Sequence, residues 1–377
     1  MSLSKKLFIF SSALLAIVLI FWGIYFLVFR KPAPPAVPAV KLEETVPVAE
    51  VKKLEKSIPV VSDEAVLAPV FDERNKTIKY YTPNGKTYEI DLDGINKKTL
   101  SDKDLPGLSG IFWSPDRTKV ISQFSGAGKN TFFYYDYAEK TGVPLKNNID
   151  TVVWQNDAKI LYKYYDPVSK KRDISVADPD GSNWSKVTDV EFRDIAIAPI
   201  PQTGLLSFWN QPDAYTETKF QSASILGEKK TLLGGKFGAD YLWSLDGSTV
   251  LISHANERGG QQIQLSAMNS NGGELRSLGI PTFISKCVWS KDNKTVFYAL
   301  PASIPAGMIL PNDYLSGKFK TTDTFWKADV KTGEKERIVD PVKIESQFDA
   351  ANLFLNTDES QLFFVNKVDS KLYRIGL

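Results

Sequence analysis

One phrase recurs along most of this chain, and its period limits the folds open to it. Y-L-W-S-L-D-G-S-T-V-L-I-S-H over 241–254 returns as I-F-W-S-P-D-R-T-K-V-I-S from Ile111 and as C-V-W-S-K-D-N-K-T-V-F-Y from Cys287. A shortened copy starts at Val152, and degenerate copies start at Val70, Ile197 and Phe354. Their anchors, Phe71, Trp113, Trp154, Ala198, Trp243, Trp289 and Leu355, lie 42, 41, 44, 45, 46 and 66 residues apart. Short strands repeating every 40–45 residues or so are the signature of propeller blades. In each copy the anchor closes a strand. S-x-D-G then makes a tight turn, because Asp and Ser side chains bond the backbone two residues on. A β-branched or aromatic run follows as the second strand.

Third strands are read at Thr131–Tyr137, Ile174–Asp178 and Phe325–Asp329, each followed by a polar turn, and a fourth returns at Arg337. Seven such copies predict an all-β, seven-bladed β-propeller of four-stranded antiparallel blades over residues 57–377. S-I-P-V-V at 57–61 has no partner of its own, and the last copy offers only three strands. Closing the ring removes an open sheet edge, so 57–61 is expected to be the fourth strand of blade seven. The 66-residue step is read as an insertion loop at 301–323 in blade six.

The W-S-x-D-x-x-x-V phrase, followed by a strand and a D-x-x-x-G turn, resembles the WD40-like (PD40) repeat of TolB-like propellers over about 57–377. That resemblance implies a bacterial envelope protein. It implies little chemistry, because the fold carries both binding scaffolds and several enzyme families. TolB proteins place a small α/β domain before the propeller, and residues 31–56 are too short for one. Propeller peptidases of the prolyl-oligopeptidase kind add a C-terminal hydrolase domain, whereas this chain ends inside its last repeat.

After a short tail at 1–6, residues 7–29 carry no charge. As a helix they would reach about 34 Å, enough for a ~30 Å hydrocarbon core. A retained single-pass anchor is expected here; cleavage as a signal peptide, giving a secreted or periplasmic protein, is the alternative. The five prolines of residues 30–56 make an extended linker. The expected location is the cell membrane, with the propeller outside the cytoplasm. Strand alternation puts the connections after second strands, and those between blades, on one face of the ring. The linker is expected to enter from the other face, leaving the first pointing away from the bilayer.

With 46 basic and 44 acidic residues, no strong field favours nucleic acid. Cys287 is the only cysteine and His254 the only histidine, which leaves little material for a disulfide framework, a triad or a histidine metal site. No G-x-S-x-G, H-E-x-x-H, C-x-x-C or phosphate-loop motif occurs, so no catalytic, cofactor-binding or metal-binding residue is assigned. D-P-D-G-S-N from Asp178 lacks the Gly and the Glu of a calcium loop and is read as a blade turn. The connections after second strands vary most, and long loops on rigid scaffolds tend to carry binding. Candidate contacts for a protein or peptide partner are therefore Trp209, Tyr215, His254, Arg258, Met308, Leu310, Tyr314 and Phe319. The insertion could equally fold back and plug the channel mouth. The expectation is a non-enzymatic scaffold. The alternative is a propeller enzyme, or a glycan or small-ligand binder, using the central channel mouth.

Overall fold

Serine and aspartate side chains fold the turn after the first strand in the fullest copies of the repeat. In the computed structural model, Ser114 Oγ donates to Asp116 Oδ1 at 2.6 Å and accepts from the N–H of Lys119 at 3.0 Å. Ser244, Asp246 and Thr249 repeat the arrangement at 2.6 and 3.0 Å. The structure describes residues 58–126 and 128–377, together with Leu15 and Leu19. The expected membrane helix at 7–29, those two leucines apart, and the linker at 30–56 lie outside the described residues. Among the described residues, no helix is long and apolar enough to cross a membrane.

Seven antiparallel sheets follow one another in chain order. Blade one pairs Leu67–Asp72, Thr77–Tyr81, Thr87–Ile90 and Lys98–Ser101. Blade two pairs Leu108–Trp113, Lys119–Gly126, Lys129–Asp136 and Thr141–Pro144. Four more blades repeat this order, and the last sheet has three strands: Ala350–Leu355, Gln361–Asn366 and Lys371–Gly376. First strands lie side by side between blades one and two, three and four, six and seven, and seven and one, so the ring meets itself.

Residues 58–62 run along the outer edge of blade seven. Val60 forms an antiparallel bridge with Tyr373. Val61 N–H donates to Leu372 O at 2.8 Å, and Arg374 N–H donates to Pro59 O at 3.1 Å. Ser62 Oγ accepts from Leu372 N–H at 2.9 Å. Ile58 is buried in the seam between blades six and seven with Phe364 and Ile375. An edge that would otherwise offer unpaired backbone groups is therefore covered by the start of the same domain.

The core is distributed over the seams between blades. One seam packs Val152, Trp154 and Ile160 of blade three against Ile121 and Phe132 of blade two. Another packs Trp289 and Val296 of blade six against Leu251 and Leu265 of blade five. Because the ring is sealed through Ile58, Ile58→Ala should cost roughly 2–5 kcal/mol, the usual range for such a truncation at a buried site. Denaturant unfolding of the full chain reads this directly, and a change within about 0.5 kcal/mol would mean that the segment contributes nothing to closure.

Candidate functional site

The insertion lies over the inner ends of several blades. Leu310 N–H donates to Gly260 O of blade five at 3.0 Å. Asn312 bonds the loop of blade four twice, donating to Asp213 Oδ1 and accepting from Ala214 N–H, both at 2.8 Å. Lys320 Nζ donates to Lys367 O of blade seven at 2.8 Å. Gly238 has φ +58° and lies under the Pro311 ring, where a Cβ would collide with the ring. Leu310 and Tyr314 are buried with Ile263 and Phe283, and Met308 and Phe319 pack on the same cluster. The insertion is thus fastened to the loops of blades four, five and seven.

Beneath it is a buried ionic cluster. Lys286 Nζ bonds Asp323 Oδ2 at 2.6 Å, Asp349 Oδ1 at 2.7 Å, Thr321 Oγ1 at 2.9 Å and Ala350 O at 2.9 Å. The Tyr314 hydroxyl donates to Asp349 Oδ1 at 2.7 Å, and its ring stacks on Phe283 at 4.2 Å. Burial pushes the Asp323 carboxyl up against the pull of Lys286. At Asp349 burial is outweighed by Lys286, Tyr314 and Thr321, which hold the carboxyl below its usual range. Sequence reasoning did not find this cluster, because its charged members come from segments far apart in the chain.

The residues proposed as partner contacts are mostly committed to the fold. The second strand of blade four runs through Asn210 and is buried on both faces from Leu206 onward, Trp209 included; its indole donates to Asp240 Oδ1 at 3.1 Å. Burial raises Asp240 to about 6. His254 is buried, with Nδ1 donating to Ala255 O at 2.9 Å and Nε2 facing Ser266 Oγ at 3.3 Å. Burial lowers its pKa. Together with Trp209 and His254, Leu310 and Tyr314 are unavailable to a partner because the fold uses their surfaces. Tyr215 and Arg258 stay exposed, joined by a bond from Arg258 Nε to Tyr215 O at 3.2 Å.

The open concavity lies elsewhere, between blades one and two. This seam has four buried apolar residues, Tyr81, Ile111, Trp113 and Val120. The other seams have eight or more among the described residues. Blade one presents Lys79, Thr87 and Glu89 to it, polar groups that cannot close the gap by packing. A cleft of about 950 Å³ results. Trp113 stacks on Tyr137 at 5.8 Å and 17°, and Tyr81 is tilted against Trp113 at 5.5 Å. Tyr135 meets Tyr137 edge-on at 5.1 Å. Phe133 and Tyr135, two apart on one strand, share the cleft face. Gly142 lies beneath them, where a Cβ would strike both rings.

Polar groups punctuate this aromatic wall. The Tyr81 and Tyr137 hydroxyls are 2.5 Å apart, and burial raises the pKa of both, so the phenols remain protonated. Glu89 accepts from Asn75 Nδ2 at 2.9 Å and Thr77 Oγ1 at 2.8 Å, and Lys98 Nζ lies 3.8 Å away. Lys79 pairs with Asp72 at 2.7 Å. Lys103 and Lys140 line the cleft with no ion-pair partner among the described residues. A second concavity of about 440 Å³ lies between the turns of blades seven, one and two. There Arg74 is paired to Asp116 at 2.9 Å, and Arg117 donates to the carbonyls of Phe71 and Ser114.

No protein-family model matches the sequence, and no curated protein matches it. The fold is similar to an oligogalacturonate lyase solved in complex with manganese, at TM-score 0.58 and 12% identity over 85% of this chain and 90% of that one. It is also similar to an oligogalacturonate lyase from Vibrio parahaemolyticus, at TM-score 0.60 and 10% identity over 86% and 94%. TolB from Acinetobacter baumannii matches at TM-score 0.45 and 14% identity over 74% and 64%. Seven sheets, six of them four-stranded, stand in the ring, and the two lyase likenesses show the same fold. They overturn the expectation of a non-enzymatic scaffold, since enzymes are built on the same ring at nearly the same length. Among the described residues no three His, Cys, Asp or Glu side chains stand together as metal ligands.

Replacing Lys286 with Met would leave two carboxylates buried without their cation. The expected cost at pH 7 is about 3–5 kcal/mol. Without the ammonium both acids have raised pKa values in the folded variant, which then binds protons the unfolded chain does not. Its stability deficit should therefore shrink as the pH falls toward about 5. Urea unfolding at the two pH values checks the sign, and a deficit unchanged with pH would place the cost in packing.

Proposed function

We propose that this chain is a carbohydrate-active propeller that takes an acidic oligosaccharide into the cleft between blades one and two. The observation that carries this reading is the cleft's composition: aromatic faces next to unpaired lysines at an unfilled seam. Sugar rings present apolar C–H faces that pack on Tyr135 and Phe133, while hydroxyls take the remaining bonding capacity of Tyr81, Tyr137 and Thr87. Lys98, Lys103 and Lys140 at the rim match the carboxylates of an acidic chain. The lyases that share the fold act on oligogalacturonate, itself such a chain. Of the two carboxylates that line the cleft, Glu89 and Asp102, the buried Glu89 is the one assigned to proton transfer, since its Asn75 and Thr77 contacts fix its orientation. This reading takes a lateral site in place of the central channel mouth, because that is where the aromatic wall and the unpaired lysines lie together.

Calorimetric titration of the full chain with oligogalacturonate and with a neutral oligosaccharide of equal length tests it. The acidic chain should bind more tightly. Tyr135→Ser and a Lys103→Glu/Lys140→Glu pair should each weaken it about tenfold or more, and Glu89→Gln should keep binding while losing turnover. Equal binding of both sugars, or variants that bind like the parent, would refute the assignment.

We further propose that residues 7–29 hold the chain in a membrane, with the propeller on its extracytoplasmic side. The uncharged 23-residue run supports this. The chain should then resist extraction from membranes by alkaline carbonate, and the propeller should be open to protease added from outside. Release into the soluble fraction would reject the anchor.

A further inference from the structure

At the seam between blades two and three, three aromatic rings form a groove around a lysine. Tyr162 and Tyr164 lie two apart on the strand Lys159–Tyr165 and so share one face. Trp184 stands immediately before the outer strand Ser185–Asp189 and is 54% exposed. Lys146 arrives from the connection between the two blades. Its ammonium is 3.9 Å from the centre of the Tyr164 ring, 3.9 Å from that of Trp184 and 5.0 Å from that of Tyr162. Among the described residues it has no ion-pair partner, and the rings are its contacts.

We propose that this groove is an aromatic cage for alkylated ammonium groups, with Lys146 as its built-in occupant. Ring faces attract a cation without offering it a hydrogen-bond acceptor. A primary ammonium is strongly hydrated and has three N–H donors to satisfy. Inside the cage it gives up part of that hydration to rings that offer no acceptor, and burial, partly offset by the Asp173 carboxylate, lowers the Lys146 pKa. A quaternary ammonium has no N–H to leave unpaired, so the same three rings suit it better. Lys146 also gives up the rotamer freedom of a four-carbon stem, which favours its release when a competitor arrives. An exposed Trp184 supports this reading: it shields the ammonium while contributing little to the buried seam, in which Tyr162 is packed with Trp154 and Ile160. This inference is independent of the sugar cleft.

The test is calorimetric titration of the full chain with tetramethylammonium chloride. Lys146→Ala should bind the probe about tenfold more tightly than the parent, and adding Trp184→Ala should return affinity to the parent's level. Free trimethyllysine and choline, titrated next, separate a methylated side chain from a choline head group as the source of the same cation. If Lys146→Ala melts below the parent, Lys146→Gln replaces it, since the longer stem keeps its packing. Two results would overturn the proposal: folded Lys146 variants that bind the probe no better than the parent, or a double variant that binds as tightly as the single one.

Discussion

An indole N–H donated across a blade boundary is the contact on which the ring depends. Trp113 donates to Ala68 O of blade one at 3.0 Å, and Trp154 to Phe112 O of blade two at 2.9 Å. Trp289 donates to Leu242 O of blade five at 3.2 Å, and Trp243 to Ser207 Oγ of blade four at 2.9 Å. Each such bond contributes only about 0.5–1.5 kcal/mol net, yet an indole buried without it would cost more than that. The donor direction therefore fixes how each sheet leans on its predecessor. With the lean set, the Ser-x-Asp turns come close enough to link. Asp116 N–H reaches Asp157 Oδ1 at 2.8 Å, Asp246 N–H reaches Asn293 Oδ1 at 3.0 Å, and Lys291 N–H reaches Glu359 Oε1 at 2.6 Å. One residue type thus joins sequence repeat, blade packing and the rigidity of one face.

This explains why so much of the architecture was legible and so little of the site. Trp113, Trp243 and Trp289 announce themselves because the repeat needs a large donor at that place, and the turn after each needs Ser and Asp. The degenerate copies at Phe71, Ala198 and Leu355 remained readable through spacing alone. The cleft offered no such signal. Lys79 and Glu89 alternate with Ile78 and Ile90 as any strand with one solvated face would, and nothing local shows that their face meets another blade. T-F-F-Y-Y-D-Y read as a strand but not as a wall, because both of its faces are aromatic: Phe132 enters the seam with blade three, and Phe133 the cleft. Trp209 was misplaced for a related reason. Its strand continues two residues further than the loop-like W-N-Q-P suggested, and both faces of that strand are buried.

The Lys286 cluster shows how an insertion too polar to bury itself is held down. Two aspartates from blades six and seven and a lysine from blade six form a network that Tyr314 completes from above. Buried ion pairs are poor sources of net stability but are costly to leave incomplete. The arrangement therefore fixes where the insertion docks more than how stable the domain is. Docking there spends the polar groups of the insertion on bonds to blades four, five and seven. Concave surface with free polar groups is left at the periphery instead, where blade one departs from the apolar pattern of the other seams.

Two adjacent seams then illustrate one principle with opposite outcomes. Both set tyrosines against the neighbouring blade, and both have lysines within reach. Between blades one and two, Lys103 and Lys140 remain at the rim because Lys79 and Glu89 already make the interior polar, so a further ammonium gains nothing by entering. Between blades two and three the wall is aromatic, with Ile160 and Trp154 beneath it, and a cation entering meets only ring faces. Lys146 enters because its stem covers apolar surface on the way, and its charge lies against ring faces, with the Asp173 carboxylate acting on it only through space. Whether a groove on this ring is open or occupied thus follows from the polarity of its floor, and two separate sets of tyrosines, Tyr81, Tyr135 and Tyr137 in one and Tyr162 and Tyr164 in the other, underlie the two different ligands proposed for them.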